Sequence, residues 1–299
     1  MRPRLETRHL EMLRTLETEP TLADAARALN VTPSALSHRI KEAERRLDVL
    51  LFERVGRTLR RTPAGDILLE AAKRLLDDLA ISEQYAVASS AGTRHFVRLT
   101  VANYNCYHWL PAFLDRFRDS HPEIELDIEG DRSLHPFDLL AEDAVDVIVT
   151  PSPRIPRYAE ETPLFADELV AIVAPAHELA EKPSVSADDL ATETYYTYSF
   201  EREPGFEADR VWTPAGVRPV REIRIGYIGA ICEMVRAGLG VSILSRWALE
   251  PRLETGELRA VPLGEGVDIR WRAATRADQP EDAPARIVAR ALADWFGEG

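Results

Sequence analysis

Hydroxyl, imidazole and cationic side chains recur at helical spacing between residues 34 and 45. At about 100° per residue they share one side of a helix. The set comprises Ser34, His38, Lys41 and Arg45, with Ser37 on its flank. Small hydroxyls and longer donors on an exposed helix can contact base edges and phosphates in the major groove of DNA. A solvated helix face without a partner is the alternative interpretation of this helix taken alone.

Two short helices are predicted to position this face. The first begins at Thr21, which forms a capping box with Asp24, and it ends at Asn30. Thr32 caps the second helix. Pro33 is tolerated at the first helical position because a backbone N–H there would have no partner within the helix. The apolar residues at helical spacing are Leu22, Ala25, Ala26 and Leu29 in the first helix, and Leu36, Ile40, Ala43 and Leu47 in the second. An earlier helix with Leu10, Met12, Leu13 and Leu16 completes a three-helix core.

A small hairpin with basic ends is predicted after the second helix. Phe52, Glu53 and Arg54 lead to a turn at Gly56, and residues 58–61 return with Arg60 and Arg61. Residues 1–62 carry 13 Lys and Arg against 9 Asp and Glu, whereas the rest of the chain carries 24 against 41. This charge asymmetry supports nucleic acid as the partner of the N-terminal part.

The N-terminal residues resemble the DNA-binding signature of the LysR-type transcriptional regulators. The matching residues are Ala25-Ala26, Leu29, the run from Thr32 to His38, Glu44, Leu47, the run from Leu51 to Arg54, and Thr62-Pro63-Ala64-Gly65. Pro33 stands where the family usually has glutamine, which removes a side chain that relatives can use for DNA contact. Asp48 stands where the family usually has glycine, in a turn conformation that Asp tolerates. The candidate DNA-contacting residues are Thr21, Thr32, Ser34, Ser37, His38, Lys41, Arg45, Arg54, Arg60 and Arg61.

A long helix is predicted from Pro63 to about Ser89. Leu68, Ala72, Leu75, Leu79, Ser82 and Ala86 alternate spacings of four and three residues, the rhythm of a two-helix seam. We favour a dimerising linker helix over a helix that packs on its own domain. The resemblance implies the same arrangement, with a winged helix-turn-helix domain over residues 1–62, a linker over 63–92 and an effector-binding domain over 93–299.

Strands and helices alternate after residue 92, which predicts an α/β domain with a parallel sheet covered by helices. The predicted strands are 96–102, 124–128, 145–149, 169–173, 195–198, 221–225, 241–244, 258–261 and 269–272. The predicted helices are 107–118, 137–141, one capped by Ser186, 227–237 and 283–296. The family resemblance implies a two-lobed, periplasmic-binding-protein-like effector domain. Its first lobe would cover about 93–163 and 267–299, and its second lobe about 164–266.

Polar residues follow several of these strands, where α/β sheets bind small ligands. The candidate ligand-binding residues are Asn103, Asn105, Cys106, His108, Thr150, Ser152, Tyr198, Gly226 and Tyr227. Donors from two lobes and from helix N-termini would suit a carboxylate. The alternative for Cys106 is a small buried apolar residue, and His108 can equally be an exposed or internally paired side chain.

Residues 97–110 are most similar to the methionine-biosynthesis regulator branch of the family, through a Cys-x-x-Trp-Leu pattern and Thr150. That resemblance implies homocysteine as the co-effector. A LysR-type regulator of another pathway with a different small carboxylate ligand is the alternative. Expected partners are duplex DNA, a small-molecule effector, further copies of the chain in a homodimer or homotetramer, and RNA polymerase, with no membrane.

The composition narrows the competing function classes. No apolar run is long enough to cross a bilayer and no signal core opens the chain, so we expect a cytoplasmic protein. Cys106 and Cys232 lie far apart and form neither a zinc motif nor a disulfide framework, and no cofactor is expected. An enzyme on the same two-lobed domain is disfavoured because nucleophile-elbow, HExxH and phosphate-loop motifs are missing. A solute-binding protein would leave the first ninety residues unexplained.

Overall fold

The computed structural model describes residues 3–55, 58–89, 95–102, 104, 106–130, 136–198 and 205–297, without the side chains of residues 54, 55, 58, 85, 88 and 89. The chain forms two compact units, Met1–Gly92 and Thr93–Gly299. The predicted turn residue Gly56 and the candidate ligand residues Asn103 and Asn105 lie outside the described residues, as does the side chain of Arg54.

The first unit has the predicted winged helix-turn-helix order and a long final helix. Its elements are α1 (Thr7–Thr18), α2 (Leu22–Ala28), α3 (Pro33–Leu47), β1 (Phe52–Val55), β2 (Thr58–Arg61) and α4 (Pro63–Ser89). β1 and β2 pair antiparallel, with Glu53 opposite Arg60. The core contains the predicted apolar faces of all three N-terminal helices, including Met12, Leu13, Ala25, Leu36 and Ala43.

The turns of this unit depend on residues in unusual backbone positions. Asn30 and Asp48 have φ values of 54° and 61°, in the left-handed region that Asn and Asp tolerate better than most residues. The prediction for Asp48 is therefore confirmed. A Cβ atom at Gly65 would collide with the backbone carbonyl of Leu51, so α4 approaches the backbone just before β1 closely only because residue 65 is glycine.

The second unit contains all the remaining elements. They are β3 (His95–Val101), α5 (Leu110–Ser120), β4 (Ile124–Ile128), α6 (Pro136–Ala141), β5 (Val147–Thr150), β6 (Ala159–Val173), a 3-10 turn (Glu178–Glu181), α7 (Ala187–Ala191), β7 (Thr194–Thr197), a π-helical segment (Ala208–Trp212), α8 (Thr213–Ala215), β8 (Arg221–Arg224), α9 (Ile228–Arg236), β9 (Ser242–Ser245), a 3-10 turn (Trp247–Leu249), α10 (Glu250–Glu254), β10 (Arg259–Arg276) and α11 (Pro284–Gly297).

The sheet of this unit is mixed rather than parallel throughout. Six strands lie in the order β4-β3-β5-β10-β6-β9. β3 pairs parallel with β4 and β5, as predicted, whereas β10 pairs antiparallel with β5 and β6, and β6 pairs antiparallel with β9. The two strands predicted at 258–261 and 269–272 are one strand, β10. The pairing is irregular between Pro262 and Val267, where Gly264 and Gly266 have positive φ. These two glycines made the sequence look like two strands separated by a turn.

Two large hydrophobic cores occupy the second unit. One packs α5 and α11 against β3 and β5, and includes Phe113, Trp271 and Val288. The other contains only residues between Leu169 and Ile269 and lies beside β7 and β9. The first core also includes Tyr198 and Cys232 from the predicted second lobe, because the long strands β6 and β10 run through both regions.

Candidate functional site

Local hydrogen bonds set the start of α3, the helix that carries the candidate DNA-contacting face. The hydroxyl of Thr32 accepts from the backbone N–H of Ala35 at 3.2 Å, and Pro33 occupies the first turn. Leu36, Ile40 and Ala43 are buried on one side. The opposite side is therefore fixed toward solvent.

The side chains on that outer face are accessible. Ser34, His38, Lys41 and Arg45 are exposed, and Ser37 is half-buried. The hydroxyl of Ser34 lies 3.0 Å from that of Thr32. Within the part of the chain that the structure describes, no hydrogen bond or ion pair engages the side chains of His38, Lys41 and Arg45. Their donors and charges are available to an anionic partner.

One other cation of α3, Arg46, is neutralised within the unit. The Arg46 guanidinium lies 2.6 Å from the carboxylates of both Glu42 and Glu6. Arg8 contacts the same two carboxylates at 3.3 and 2.9 Å. This network raises the pKa of Arg46 through its hydrogen bond to Glu6, followed by that to Glu42. The cluster ties α1 to α3 and leaves the positive charge of Lys41 and Arg45 uncompensated on the outer face.

The hairpin is attached to the end of α3 through Glu44. The carboxylate of this residue accepts from the backbone N–H groups of Leu51 at 2.9 Å and Phe52 at 3.2 Å. The sequence analysis includes Glu44 in the family motif but assigns it no role. Its spacing of seven and eight residues before Leu51 and Phe52 is the feature that could have indicated this contact.

The remaining candidate DNA-contacting residues differ in whether their side chains form hydrogen bonds within the unit. Arg60 is exposed on β2, whereas Arg61 is half-buried and its Nε donates to Asp66 at 2.7 Å. The Thr21 hydroxyl accepts from the backbone N–H of Asp24 at 3.1 Å and donates to its carboxylate at 2.6 Å. Thr21 thus caps α2. The Asp24 carboxylate accepts from the Thr21 hydroxyl, whereas the predicted capping box requires it to accept from the Thr21 backbone N–H.

The long helix α4 has two apolar faces. Leu69, Ala72 and Leu76 are buried, and Leu69 and Ala72 belong to the core of the first unit. Leu75 and Leu79 are 55% and 42% exposed on the neighbouring face. The predicted seam is wrong for Ala72, which packs within its own unit because it lies on the helix side next to Leu69 and Leu76. Leu68 is half-buried against the same core.

The second candidate site begins at the carboxyl end of β3. Cys106 is buried in the large core, as its alternative interpretation expected, and burial raises the pKa of its thiol. His108 packs against the Trp247 ring with 5.1 Å between centroids. Burial lowers the pKa of His108, opposed by the charge of Glu250. His108 therefore contacts other residues of the unit.

The two hydroxyls after β5 form a local turn. Thr150 is buried, and its hydroxyl accepts from the backbone N–H of Ser152 at 3.1 Å. The Ser152 hydroxyl donates to the Arg154 carbonyl at 3.3 Å. Both groups are engaged, so a ligand would have to share or replace these bonds.

Tyr198 and Tyr227 lie in different environments. Tyr198 is 2% exposed and belongs to the large core, whereas Tyr227 is 69% exposed and Gly226 beside it is also exposed. The start of α9 therefore exposes Gly226 and Tyr227, while the adjacent Ile228 packs against the large core that contains Tyr198.

Sequence reasoning missed a buried polar cluster around Tyr104 and Asp167. The rings of Tyr198 and Trp271 each lie 5.6 Å from the Tyr104 ring, and the Ser245 backbone N–H donates to the Tyr104 phenol at 3.2 Å. Burial, followed by the charge of Glu207, raises the pKa of Tyr104 well above its usual value, so the phenol is neutral near pH 7. We call Tyr104, Asp167, Tyr198, Ser245 and Trp271 the crevice cluster.

The crevice cluster offers hydrogen-bonding groups and aromatic surface, but the described residues contain no group of three or more side chains suited to hold a metal ion. Among the described helices, none is long and apolar enough to cross a membrane.

The whole chain has recognisable relatives. Residues 7–66 match the family described as bacterial regulatory helix-turn-helix protein, lysR family, and residues 90–297 match the LysR substrate binding domain. The transcriptional regulator MetR of Salmonella typhimurium (strain LT2) is 31% identical across 97% of this chain and 90% of its own length. MetR of Escherichia coli (strain K12) is 33% identical across 91% of this chain and 84% of its own length.

A solved structure shares the architecture of the second unit. The regulatory domain of MetR, a LysR family regulator from N. meningitidis, is 26% identical, covers 69% of this chain and 95% of that domain, and superimposes with a TM-score of 0.56.

Proposed function

This chain belongs to the LysR family of DNA-binding transcriptional regulators, and we propose that it controls genes of methionine or sulfur amino-acid metabolism in response to a small amino acid. The family match makes it a regulator that binds duplex DNA and a small-molecule effector rather than an enzyme. The observation that carries the proposal is the similarity to MetR along nearly the full length of both chains.

In the proposed DNA complex, the exposed face of α3 enters the major groove. Ser34, Ser37 and His38 contact base edges, while Lys41 and Arg45 neutralise phosphates. Arg60 and Arg54 contact the backbone beside the groove. The support for these roles is the exposure of the α3 side chains and the absence of ion pairs to Lys41 and Arg45 among the described residues.

The proposed assembly is a homodimer or homotetramer in which α4 packs against α4 of a second copy. Leu75 and Leu79 expose large apolar surfaces on one side of the helix, next to the face that already packs within the unit. Burying such a stripe against its copy removes apolar area from water. Ser82 and Ala86 continue the stripe with small exposed residues, which allow close helix approach.

Homocysteine is the proposed effector, bound beside the crevice cluster. An amino acid needs donors for its carboxylate and acceptors for its ammonium group. The Thr150 hydroxyl, the Ser152 hydroxyl once it releases the Arg154 carbonyl, and backbone N–H groups of this region supply donors, and the side-chain carbonyls of Asn103 or Asn105 supply acceptors. Tyr198 contributes apolar surface.

A thermal-shift and calorimetry series on the full chain tests the proposal. Homocysteine, methionine and cysteine are compared with a panel of small carboxylates, because a ligand at a hundred times its dissociation constant stabilises the folded protein by about 2.7 kcal/mol. We expect an amino acid to bind and to change the DNA footprint. Binding only by another carboxylate would reject the methionine assignment and leave DNA binding unaffected.

A further inference from the structure

Gly205 lies directly against the ring of Pro153. A Cβ atom at residue 205 would stand 2.4 Å from Pro153 Cγ and 3.3 Å from Pro153 Cδ. Carbon atoms that are not bonded to each other pack at about 3.5–4.0 Å, so a side chain at residue 205 requires a displacement of about 1 Å between the two segments. The contact as it stands therefore depends on glycine at this position.

Gly205 is anchored to the hydrophobic core that lies beside β7 and β9. Its backbone N–H donates to the Asp209 carboxylate at 3.0 Å. The next residue, Phe206, is 1% exposed and belongs to that core. The position of Gly205 is thus set by bonds and packing that do not involve Pro153.

Pro153 is anchored to β5 instead. It belongs to a turn, residues 150–154, in which the Ser152 N–H donates to the Thr150 hydroxyl at 3.1 Å and the Arg154 N–H donates to the Ser152 hydroxyl at 3.4 Å. Thr150 is the last residue of β5. The contact with Gly205 therefore joins this turn to the core beside β7 and β9.

We propose that Gly205 is a positioning residue for effector binding: because it has no side chain, its segment packs against Pro153 and holds the hydroxyls of Thr150 and Ser152 where the effector meets them. Groups that bind a ligand must be held within about 0.5 Å of their productive positions, and a displacement of about 1 Å exceeds that tolerance. The inference rests on the proposed function, which places these two hydroxyls at the effector.

Four variants of the full-length protein isolate the contact. Gly205→Ala introduces the clash, and Pro153→Ala removes Cγ and Cδ, so the double variant has room for the new methyl group. Gly216→Ala is the matched control. Gly216 also has positive φ, 70° against 89° for Gly205, but no other segment of the described chain lies within 4 Å of a Cβ atom at that position. Both glycine substitutions strain the backbone, and only Gly205→Ala meets Pro153.

Thermal melting without a ligand tests the contact itself. We expect Gly205→Ala to lower the melting temperature by about 2–12 °C more than Gly216→Ala does, the range for overpacking in a unit of this size. This excess should disappear when Gly205→Ala is introduced into the Pro153→Ala variant. An equal loss in both glycine variants, or an excess that persists without the proline ring, would overturn the proposal.

Hydrogen exchange measures the position of the turn, again without a ligand. The Ser152 and Arg154 N–H groups should exchange faster in Gly205→Ala than in the unaltered chain, because displacement of the turn breaks their hydrogen bonds. Gly216→Ala should leave both rates unchanged. If the melting temperature of Gly205→Ala falls while these two amides keep their rates, the contact supports stability alone and the positioning role is rejected.

Calorimetry with homocysteine tests the consequence for binding. Gly205→Ala should weaken binding by at least about 10-fold, the effect of a lost hydrogen bond to a charged group. Gly216→Ala should bind like the unaltered chain, and the double variant like Pro153→Ala alone. Unchanged affinity in Gly205→Ala would overturn the positioning role. If homocysteine does not bind the unaltered chain, the proposed effector fails, and the melting and exchange measurements still decide whether Gly205 positions the turn.

Discussion

The Glu44 carboxylate accepts the backbone N–H of Leu51 at 2.9 Å, which joins α3 to the hairpin across seven residues. The same oxygen accepts from Phe52. We therefore expect Glu44→Ala to lower the free energy of unfolding of the first unit by about 2 kcal/mol, since two backbone donors lose a charged acceptor. Urea denaturation of the full chain, followed at a signal from this unit, measures the loss. Glu11→Ala, at an exposed position of α1, is the control and should change stability little.

Asp189 gives a pH-dependent contribution to stability. Its carboxylate accepts from Lys182 at 2.7 Å and from the Ser186 N–H and hydroxyl at 2.8 Å each, and these bonds, that from Lys182 first, lower its pKa from 3.8 to about 2. Because the folded pKa is the lower one, the stabilisation is fully present above pH 4 and disappears as the pH falls toward 2. The melting-temperature difference between the unaltered chain and Asp189→Asn should narrow across that window. Asp188→Asn, exposed on the same helix, should show no such window; equal profiles for both variants would contradict the prediction.

Sequence reasoning located elements well where periodicity and caps agreed. Thr32, Pro33 and the apolar spacing identified α3 from its first residue, and helix α4 has the predicted bounds. The alternation of apolar and polar residues could not predict that β6, β9 and β10 pair antiparallel. The sequence of one strand does not indicate whether its neighbour runs parallel or antiparallel to it. The irregularity at Gly264 looked like a break because glycine marks both turns and bulges.

The crevice cluster was hard to predict for a related reason. Tyr104 and Ser245 are 141 residues apart, and their contact depends on the sheet order rather than on local spacing. Asp167 precedes the strand predicted at 169–173, and its neighbours in sequence give no indication that its carboxylate accepts from three donors. The sequence identified the polar residues that follow strands. It could not predict that Tyr227 is exposed and Tyr198 is buried, because burial depends on how the strands and helices pack.

The exposed stripe of α4 predicts the assembly. Leu75→Glu combined with Leu79→Glu should dissociate the oligomer, because two charges would be buried without partners in the helix seam. Analytical ultracentrifugation measures the mass. Arg74→Glu places the same carboxylate about 100° away on the helix and should leave the mass unchanged. An intact oligomer in the double variant would assign the contact to another surface.

The face of α3 predicts two separable effects on DNA binding. Arg45→Ala and Arg60→Ala should weaken binding to specific and random duplexes alike, and each should reduce the slope of log affinity against log salt by about 0.9, the value for one phosphate contact. Ser34→Ala and His38→Ala should instead change sequence preference, with about 1–3 kcal/mol at stake for each base contact. Fluorescence anisotropy across a salt series, with a panel of single-base operator variants, separates the two. Arg118→Ala, an exposed cation of the second unit, is the matched control and should alter neither slope nor preference. If Arg45→Ala changed preference while His38→Ala changed only the salt slope, the proposed docking of α3 in the groove would be wrong.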